Sequence, residues 1–203
     1  MVSRDDRTYW NERYTREGAQ LQLEPGAFVV DIVSGLPGGT ALDLACGRGR
    51  NAVWLAKQGY DVTAIDVSSV AVAHAERHAD EAGVEVAFGI ADLTAWDPED
   101  RTWDLVLLSY LQLPEASRRR VHAMATTAVA EGGCLLLIAH HRDNFDHGVG
   151  GPRYAEVLYH EDDLAADFAA LDIVRNEVVT RTVDREDLQG EAIDVILVAR
   201  SAP

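Results

Sequence analysis

The spacing of apolar residues changes at Thr40 and divides the chain there. Before that point the spacing is helical: from about Asp5 to Glu17, Tyr9, Arg13 and Glu17 share one stripe and Trp10 and Tyr14 the next. A second helix is expected after Pro25, a favourable first-turn residue, carrying Phe28, Val29, Ile32 and Val33 and closed by Gly38-Gly39. From Thr40 short apolar runs alternate with amphipathic stretches. Ala41 to Ala45 reads as a buried strand, Gly47-Arg48-Gly49 as a tight turn, and Asn51 to Gln58 as a helix ended by Gly59.

The alternation continues. A strand over Asp61 to Ile65 ends at Asp66, and Ser68 or Ser69 caps a helix to about Ala82. Strands follow at Val84 to Phe88 and Asp104 to Ser109, then a helix from about Glu115 to Val129 and a strand over Gly133 to Ala139. Strands separated by helices require right-handed crossovers and a mostly parallel sheet covered on both faces. After a helix from about Glu161 to Leu171, the segments Ile173 to Val183 and Ile193 to Arg200 are joined by a polar stretch too short for a crossover, so they pair antiparallel. The predicted fold is α/β: a seven-stranded, mostly parallel, doubly wound sheet whose last strand is reversed.

Composition narrows the setting. The chain has 203 residues, 47% hydrophobic and 26% charged, with a net charge of −16. That profile suits one domain with one sizeable core, and the acidic surface argues against nucleic acid and anionic lipid as partners. No apolar run approaches a membrane span and the first residues lack a signal-peptide core, so a cytoplasmic protein, monomeric or homodimeric, is expected. Cys46 and Cys134 stand alone in apolar segments and read as buried thiols. The expected division is a helical arm at 1–39, a cofactor-binding half at 40–140, and a substrate loop with the antiparallel strand pair at 141–203.

The richest stretch is Asp43-Leu44-Ala45-Cys46-Gly47-Arg48-Gly49-Arg50-Asn51-Ala52. Glycines between a strand and a helix let a ligand approach the backbone closely. Asp66, at the end of the next strand, is placed to accept hydrogen bonds from a ribose. Gly47-x-Gly49-x-x-Ala52 also satisfies the dinucleotide fingerprint, which keeps a nicotinamide-dependent oxidoreductase as an alternative. Asp43 speaks against it, because a carboxylate buried just before the turn repels a diphosphate but accepts an ammonium group. Asp92, in Gly89-Ile90-Ala91-Asp92-Leu93, can accept from an adenine amino group with Ile90 and Leu93 flanking the ring, or can simply cap the following turn.

On these residues the chain resembles the class I S-adenosylmethionine-dependent methyltransferases over nearly its whole length. Asp43 to Gly49 is similar to that family's D-x-G-x-G-x-G turn, with Ala45 in place of the first glycine. Asp66 is similar to its ribose-binding acid, Ala91-Asp92-Leu93 to its adenine-binding motif, and Glu131-Gly132-Gly133 to its P-G-G turn, with Glu131 in place of proline. The resemblance implies S-adenosylmethionine as cofactor, held by Asp43, Ala45, Gly47, Gly49, Asn51, Asp66, Val67, Ala91, Asp92, Leu93 and Ser109. Tyr9-Trp10-Asn11-Glu12-Arg13-Tyr14 and the glycine turn together resemble a small bacterial branch related to tellurite-resistance and thiopurine-type methyltransferases. By that resemblance the arm folds over the cofactor, with Trp10, Arg13 and Tyr14 as lid residues; otherwise it is an amphipathic helix packed on the sheet.

Methyl transfer from a sulfonium is an in-line displacement, so the chief requirements are positioning and exclusion of water. An oxygen or nitrogen nucleophile also needs a base; a thiolate or chalcogen anion does not. His140, opening the cluster His140-His141-Arg142-Asp143-Asn144 after the fifth strand, is the candidate base, unless it is an ordinary loop histidine. Tyr110 is the candidate wall or hydrogen-bond donor of the acceptor pocket. Ser109-Tyr110-Leu111-Gln112 does not match the N/D-P-P-Y motif of amino-methylating nucleic-acid enzymes. Nor does it supply the acid that metal-dependent catechol-type relatives carry there, so no metal is expected. Gly148 to Tyr154 reads as a loop able to close on substrate, with Arg142 and Arg153 available to an anionic acceptor. The expected activity is methyl transfer to a small molecule through a thiol, chalcogen, heterocycle or hydroxyl; a catalytically silent cofactor-binding protein is the other alternative.

Overall fold

Leu42, Leu44, Val106, Leu108, Leu135 and Leu137 are buried on one side of a sheet, and Ala41, Leu105, Leu107, Leu136 and Ile138 on the other. Strands apolar on both faces are stable only with helices covering both. The computed structural model of the protein describes residues 7–17, 23–185 and 188–202. Its sheet comprises β1 (Thr40–Leu44), β2 (Asp61–Asp66), β3 (Ala87–Ile90), β4 (Trp103–Ser109), β5 (Val129–His140), β6 (Asp172–Arg185) and β7 (Leu188–Arg200). The order is β3-β2-β1-β4-β5-β7-β6. β1 to β5 are parallel, and β7 lies antiparallel between β5 and β6, so the last strand is reversed as expected.

The helices are α1 (Arg7–Glu17), α2 (Ala27–Val33), α3 (Arg50–Lys57), α4 (Ser69–Ala82), α5 (Glu115–Thr127), α6 (Asn144–His147) and α7 (Glu161–Asp167). Val121 and Ala125 of α5 and Leu164 of α7 cover one face; Val29 and Val33 of α2 and Ala52 and Leu55 of α3 cover the other. Residues 5 and 6 of the expected arm helix, and 186 and 187 of the expected polar connection, lie outside the described residues. Among the described residues no helix is long and apolar enough to cross a membrane. Cys46 and Cys134 are buried and free.

Element boundaries move where non-local pairing outweighs local pattern. The third strand, expected at Val84 to Phe88, runs Ala87–Ile90, because the Val84 N–H closes α4 onto the Ala79 carbonyl and β2 pairs Thr63 with Ala87 through Asp66 with Ile90. The fifth strand begins at Val129 rather than Gly133. Trp103 pairs with Val129 and Leu105 with Cys134, so the Gly132-Gly133 turn is taken up as an irregularity within β5. The helix expected to reach Leu171 stops at Asp167, and α6 and a 3-10 turn at Ala155–Val157 carried no sequence prediction.

Candidate active site

The chain leaves β1 toward β2 and leaves the adjacent β4 toward β5, in opposite directions, and the crevice at such a reversal is where open α/β sheets bind ligands. Asp43 occupies a β1 position whose neighbours in the pattern are apolar, and it is 1% exposed. Among the described residues neither of its carboxylate oxygens has a partner at full hydrogen-bond geometry, the Ala52 N–H being the nearest donor. Burial pushes its pKa up to about 7; Arg50 opposes the rise and the charge of Asp66 adds to it. A buried carboxylate short of donors fits a ligand that brings its own, such as the ammonium group of an amino acid.

The turn beyond it is left-handed at three points: Ala45 (φ +60°), Gly47 (+56°) and Gly49 (+75°). Ala45 therefore holds a conformation that glycine would adopt without strain. A Cβ at Gly47 would lie 2.9 Å from the Tyr14 hydroxyl, so this glycine faces the arm. A Cβ at Gly49 would lie 2.8 Å from the Ala75 Cβ, so its bare face also serves close packing on α4. Asn51 is buried, and its Oδ1 accepts from the Gly26 N–H at 2.9 Å, which braces the entry to α2.

Asp66 ends β2 beside this turn. Its Oδ2 accepts from the Gly47 N–H at 2.8 Å and its Oδ1 from the Ser68 N–H at 2.9 Å. Burial raises its pKa, against the pull of these bonds. Val67 follows at the strand end, partly exposed. α1 lies across the same edge. Asn11 Oδ1 accepts from Ser68 Oγ at 2.7 Å, and Arg48 donates to the Tyr14 carbonyl at 3.1 Å with its guanidinium 5.1 Å over the Tyr14 ring. Arg13 instead stacks on Trp10 of its own helix, at 5.1 Å.

After β3, the Ala91 N–H donates to the Asp66 carbonyl. Asp92 is exposed, and its Oδ1 accepts from both the N–H and hydroxyl of Thr94 at 2.8 Å. The turn-capping role is therefore present, and one carboxylate oxygen stays open. Of the two apolar flanks expected for a ring, Leu93 is buried against the core and Ile90 is 47% exposed.

His140, at the end of β5, lies directly opposite Asp194 in the register of β5 with β7. Its Nδ1 is 2.9 Å from Asp194 Oδ1. Asp194 is fully buried, yet it also accepts from the Tyr110 hydroxyl at 2.8 Å and from Arg181 Nε at 2.9 Å. Burial alone would raise its pKa, but His140, Arg181 and Tyr110 outweigh that and hold it below the ordinary carboxylate value. An ionised carboxylate only accepts, so Nδ1 carries the proton and Nε2 of a neutral His140 is left as an acceptor. Tyr110 has a φ of +59°, which turns its ring out of the regular strand alternation to sit 4.8 Å from the His140 ring. Burial first, then the charge of Asp194, push its hydroxyl pKa well up, so Tyr110 acts as a donor rather than a base. The Ser109 hydroxyl beside it is buried without a hydrogen-bond partner among the described residues.

Sequence reasoning found His140 and Tyr110 but missed Asp194 and Arg181. A signal was available for Asp194, a carboxylate in the apolar run Ile193-Asp194-Val195-Ile196-Leu197, the same kind of anomaly that singled out Asp43. The loop after β5 is stapled: Asn144 donates to the Gly150 carbonyl at 3.0 Å and accepts from the Ile193 N–H at 2.7 Å. Gly151 closes it over His140, where a Cβ would lie 2.9 Å from the ring. Arg142 and Arg153, the candidates for an anionic acceptor, lie on the outside of this loop. Both are exposed; Arg142 pairs with Asp163 at 3.3 Å and Arg153 donates to the Phe145 carbonyl at 3.3 Å. His141, His160 and Glu161 bring three ligand-type atoms within 4.8 Å of one another. Each has a structural partner: His141 bonds Glu161 at 3.0 Å and accepts from the Asp143 N–H, while His160 caps α7.

Residues 41–133 match the family described as "Methyltransferase domain". A ubiquinone biosynthesis O-methyltransferase of Alkalilimnicola ehrlichii is 43% identical over 61 residues, which is 30% of this chain and 25% of that one. A putative methyltransferase of Geobacillus sp. (strain WCH70) is 32% identical over 111 residues, 52% of this chain and 44% of that one. The chain thus spans from a quarter to under half the length of these curated relatives. Among solved structures, one concerning the conversion of a disulfide bond into a thioacetal group in echinomycin biosynthesis superimposes with a TM-score of 0.79 at 20% identity, over 96% of this chain and 92% of that one. TehB from Haemophilus influenzae gives 0.74 at 18%, over 95% and 67%. NodS from Bradyrhizobium japonicum, an N-methyltransferase in complex with S-adenosyl-L-homocysteine, gives 0.73 at 17%, over 96% and 99%. At these identities the structural likeness establishes the fold.

Proposed function

We propose that the chain is a class I S-adenosylmethionine-dependent methyltransferase, a reading supported by its fold and by the family that residues 41–133 match, and that it methylates an oxygen or nitrogen of a small-molecule acceptor with His140 as general base. The observation that carries this reading is the His140 to Asp194 hydrogen bond, with Asp194 buried and held by Tyr110 and Arg181. A thiolate or chalcogen acceptor would need only positioning, so an oriented base favours an O–H or N–H nucleophile.

The residues present fit the cofactor. Asp43 offers a buried carboxylate short of donors to the methionine ammonium, the left-handed turn leaves backbone approachable at Gly47, and Asp66 with Asp92 bounds the nucleoside side. A nicotinamide dinucleotide would bring its diphosphate against Asp43 and Asp66. When bound, S-adenosylmethionine supplies a sulfonium methyl group, an electrophile whose thioether leaving group needs no protonation.

The chain's own residues supply the rest. His140 Nε2 accepts the proton of the acceptor as its lone pair engages the methyl carbon, and Asp194 stabilises the imidazolium that forms. Tyr110 walls the acceptor side, and Gly151 closes the loop over the histidine, which limits water.

The test is formation of S-adenosylhomocysteine by the purified protein with phenols, N-heterocycles and thiols as acceptors. The expected result is turnover of O–H or N–H acceptors that His140→Ala lowers by about a hundredfold or more. Turnover of thiols alone, insensitive to that substitution, overturns the base; tight binding of S-adenosylhomocysteine with no turnover on any acceptor makes this a silent cofactor-binding protein.

A further inference from the structure

Arg50 is the first residue of α3 and is only partly exposed, yet its side chain makes no hydrogen bond and no close ion pair with the described residues. None of its nitrogens is both buried and unpartnered, so the guanidinium is within reach of a ligand in the crevice. It lies within electrostatic range of Tyr110, Asp43, Arg181 and Tyr14, and so faces the crevice between the glycine turn and the His140 network. Arg181 approaches from the opposite wall. It sits 5.7 Å over the Tyr110 ring, its Nε is taken by Asp194, and its side chain is 31% exposed. Its guanidinium also bonds the Tyr110 hydroxyl, which leaves the remaining N–H groups of the planar fork for a carboxylate.

The negative groups nearby do not balance this pair. Asp194 is shared among His140, Tyr110 and Arg181, and Asp43 retains its proton to about pH 7. Bound S-adenosylmethionine carries one net positive charge, its ammonium group calls on Asp43, and its single carboxylate is the only anionic group it brings. In a chain of net charge −16, two cations turned into one crevice are a local feature that the overall field opposes.

We infer that Arg50 and Arg181 form a carboxylate-binding pair in this crevice, which selects small acceptors carrying a carboxylate beside the nucleophile. The inference rests on the methyltransferase reading. One other carboxylate has the same chemistry, that of the cofactor's own methionine moiety, and the two sources are separable.

The test is calorimetric titration of the full chain, wild type against Arg50→Gln. The ligands are S-adenosylhomocysteine, 5′-methylthioadenosine, which lacks the amino-acid group, and, with S-adenosylhomocysteine saturating, the matched pairs salicylate with phenol and indole-3-carboxylate with indole. The expected result is that wild type prefers at least one carboxylate over its neutral partner by about tenfold or more, and that Arg50→Gln erases the preference while changing S-adenosylhomocysteine affinity by less than about twofold. Arg50→Lys, which keeps the charge but loses the fork, should retain only part of it. Absence of any carboxylate preference in wild type overturns the inference. So does a variant that loses S-adenosylhomocysteine but keeps methylthioadenosine, which assigns Arg50 to the cofactor, or one that loses both equally, which makes Arg50 structural. Failure of wild type to bind S-adenosylhomocysteine at all is a different result: it overturns the methyltransferase reading itself.

Discussion

His140 and Asp194 are direct partners across the antiparallel β5–β7 pair, and the imidazole Nδ1 lies 2.9 Å from a carboxylate that is fully buried. The strand register creates this contact, so the base is oriented by two rigid strands rather than by its loop. Replacing Asp194 with asparagine keeps the volume but lets an amide donor face Nδ1, which favours the tautomer with the proton on Nε2. The expected effect of Asp194→Asn is a fall in kcat of about a hundredfold or more on an O–H or N–H acceptor. Steady-state kinetics beside a thermal melt check it; a variant with lowered Tm and unchanged kcat would reduce Asp194 to a structural residue.

Asp43 couples stability to pH. Its carboxyl is raised from 3.8 to about 7 in the folded chain, so between those values the native state binds more protons than the unfolded one. Stability of the ligand-free protein from this group is greatest below about pH 4 and falls as pH rises to about 7, by an amount on the order of 4 kcal/mol at most. Asp43→Asn removes that slope and should make the protein more stable than wild type at pH 8 while weakening S-adenosylhomocysteine binding. Urea unfolding at pH 5 and pH 8 decides; equal pH dependence in both proteins contradicts the assignment.

Ala45 is held at φ +60° in the turn that leaves β1. Ala45→Gly relieves a strain of about 1–2 kcal/mol and returns part of it as unfolded-state entropy, for a net stabilisation of up to about 1 kcal/mol. A thermal melt of the variant should show a raised midpoint; a lowered one would mean that the Ala45 methyl contributes more by its packing than its backbone costs.

Gly151 combines a φ of +72° with contact on the His140 ring. Gly151→Ala should displace either the loop or the imidazole, and it should lower kcat more than it lowers affinity for S-adenosylhomocysteine, whose expected contacts lie on β1, β2 and β3. Paired kinetics and calorimetry test this, and unchanged kcat would show that the loop gives way without disturbing the base.

Much of the fold was legible because its signals are local. Asp43, Gly47, Gly49 and Asp66 lie within one strand-turn-helix-strand unit, where short-range periodicity and turn chemistry fix the backbone, and the antiparallel final pair followed from a connection too short for a crossover. The functions of individual atoms were less legible even there. The glycine pattern did not reveal that Gly49 packs on Ala75 while Gly47 faces Tyr14, because both contacts come from segments distant in sequence.

The chemistry of the acceptor side lay beyond the sequence. His140 stands 54 residues from Asp194, and Arg181 reaches the same carboxylate from a third strand. Nothing in the local pattern fixes which residues of β5, β6 and β7 face one another, since a shift of one residue turns every side chain to the other face. The sequence by itself determined the order of the elements, the glycine turn, and the two acids near the end of β1 and at the end of β2. Only the tertiary structure decided that His140, Tyr110, Arg181 and Asp194 meet, because packing of both sheet faces selects the register, and the register selects the site.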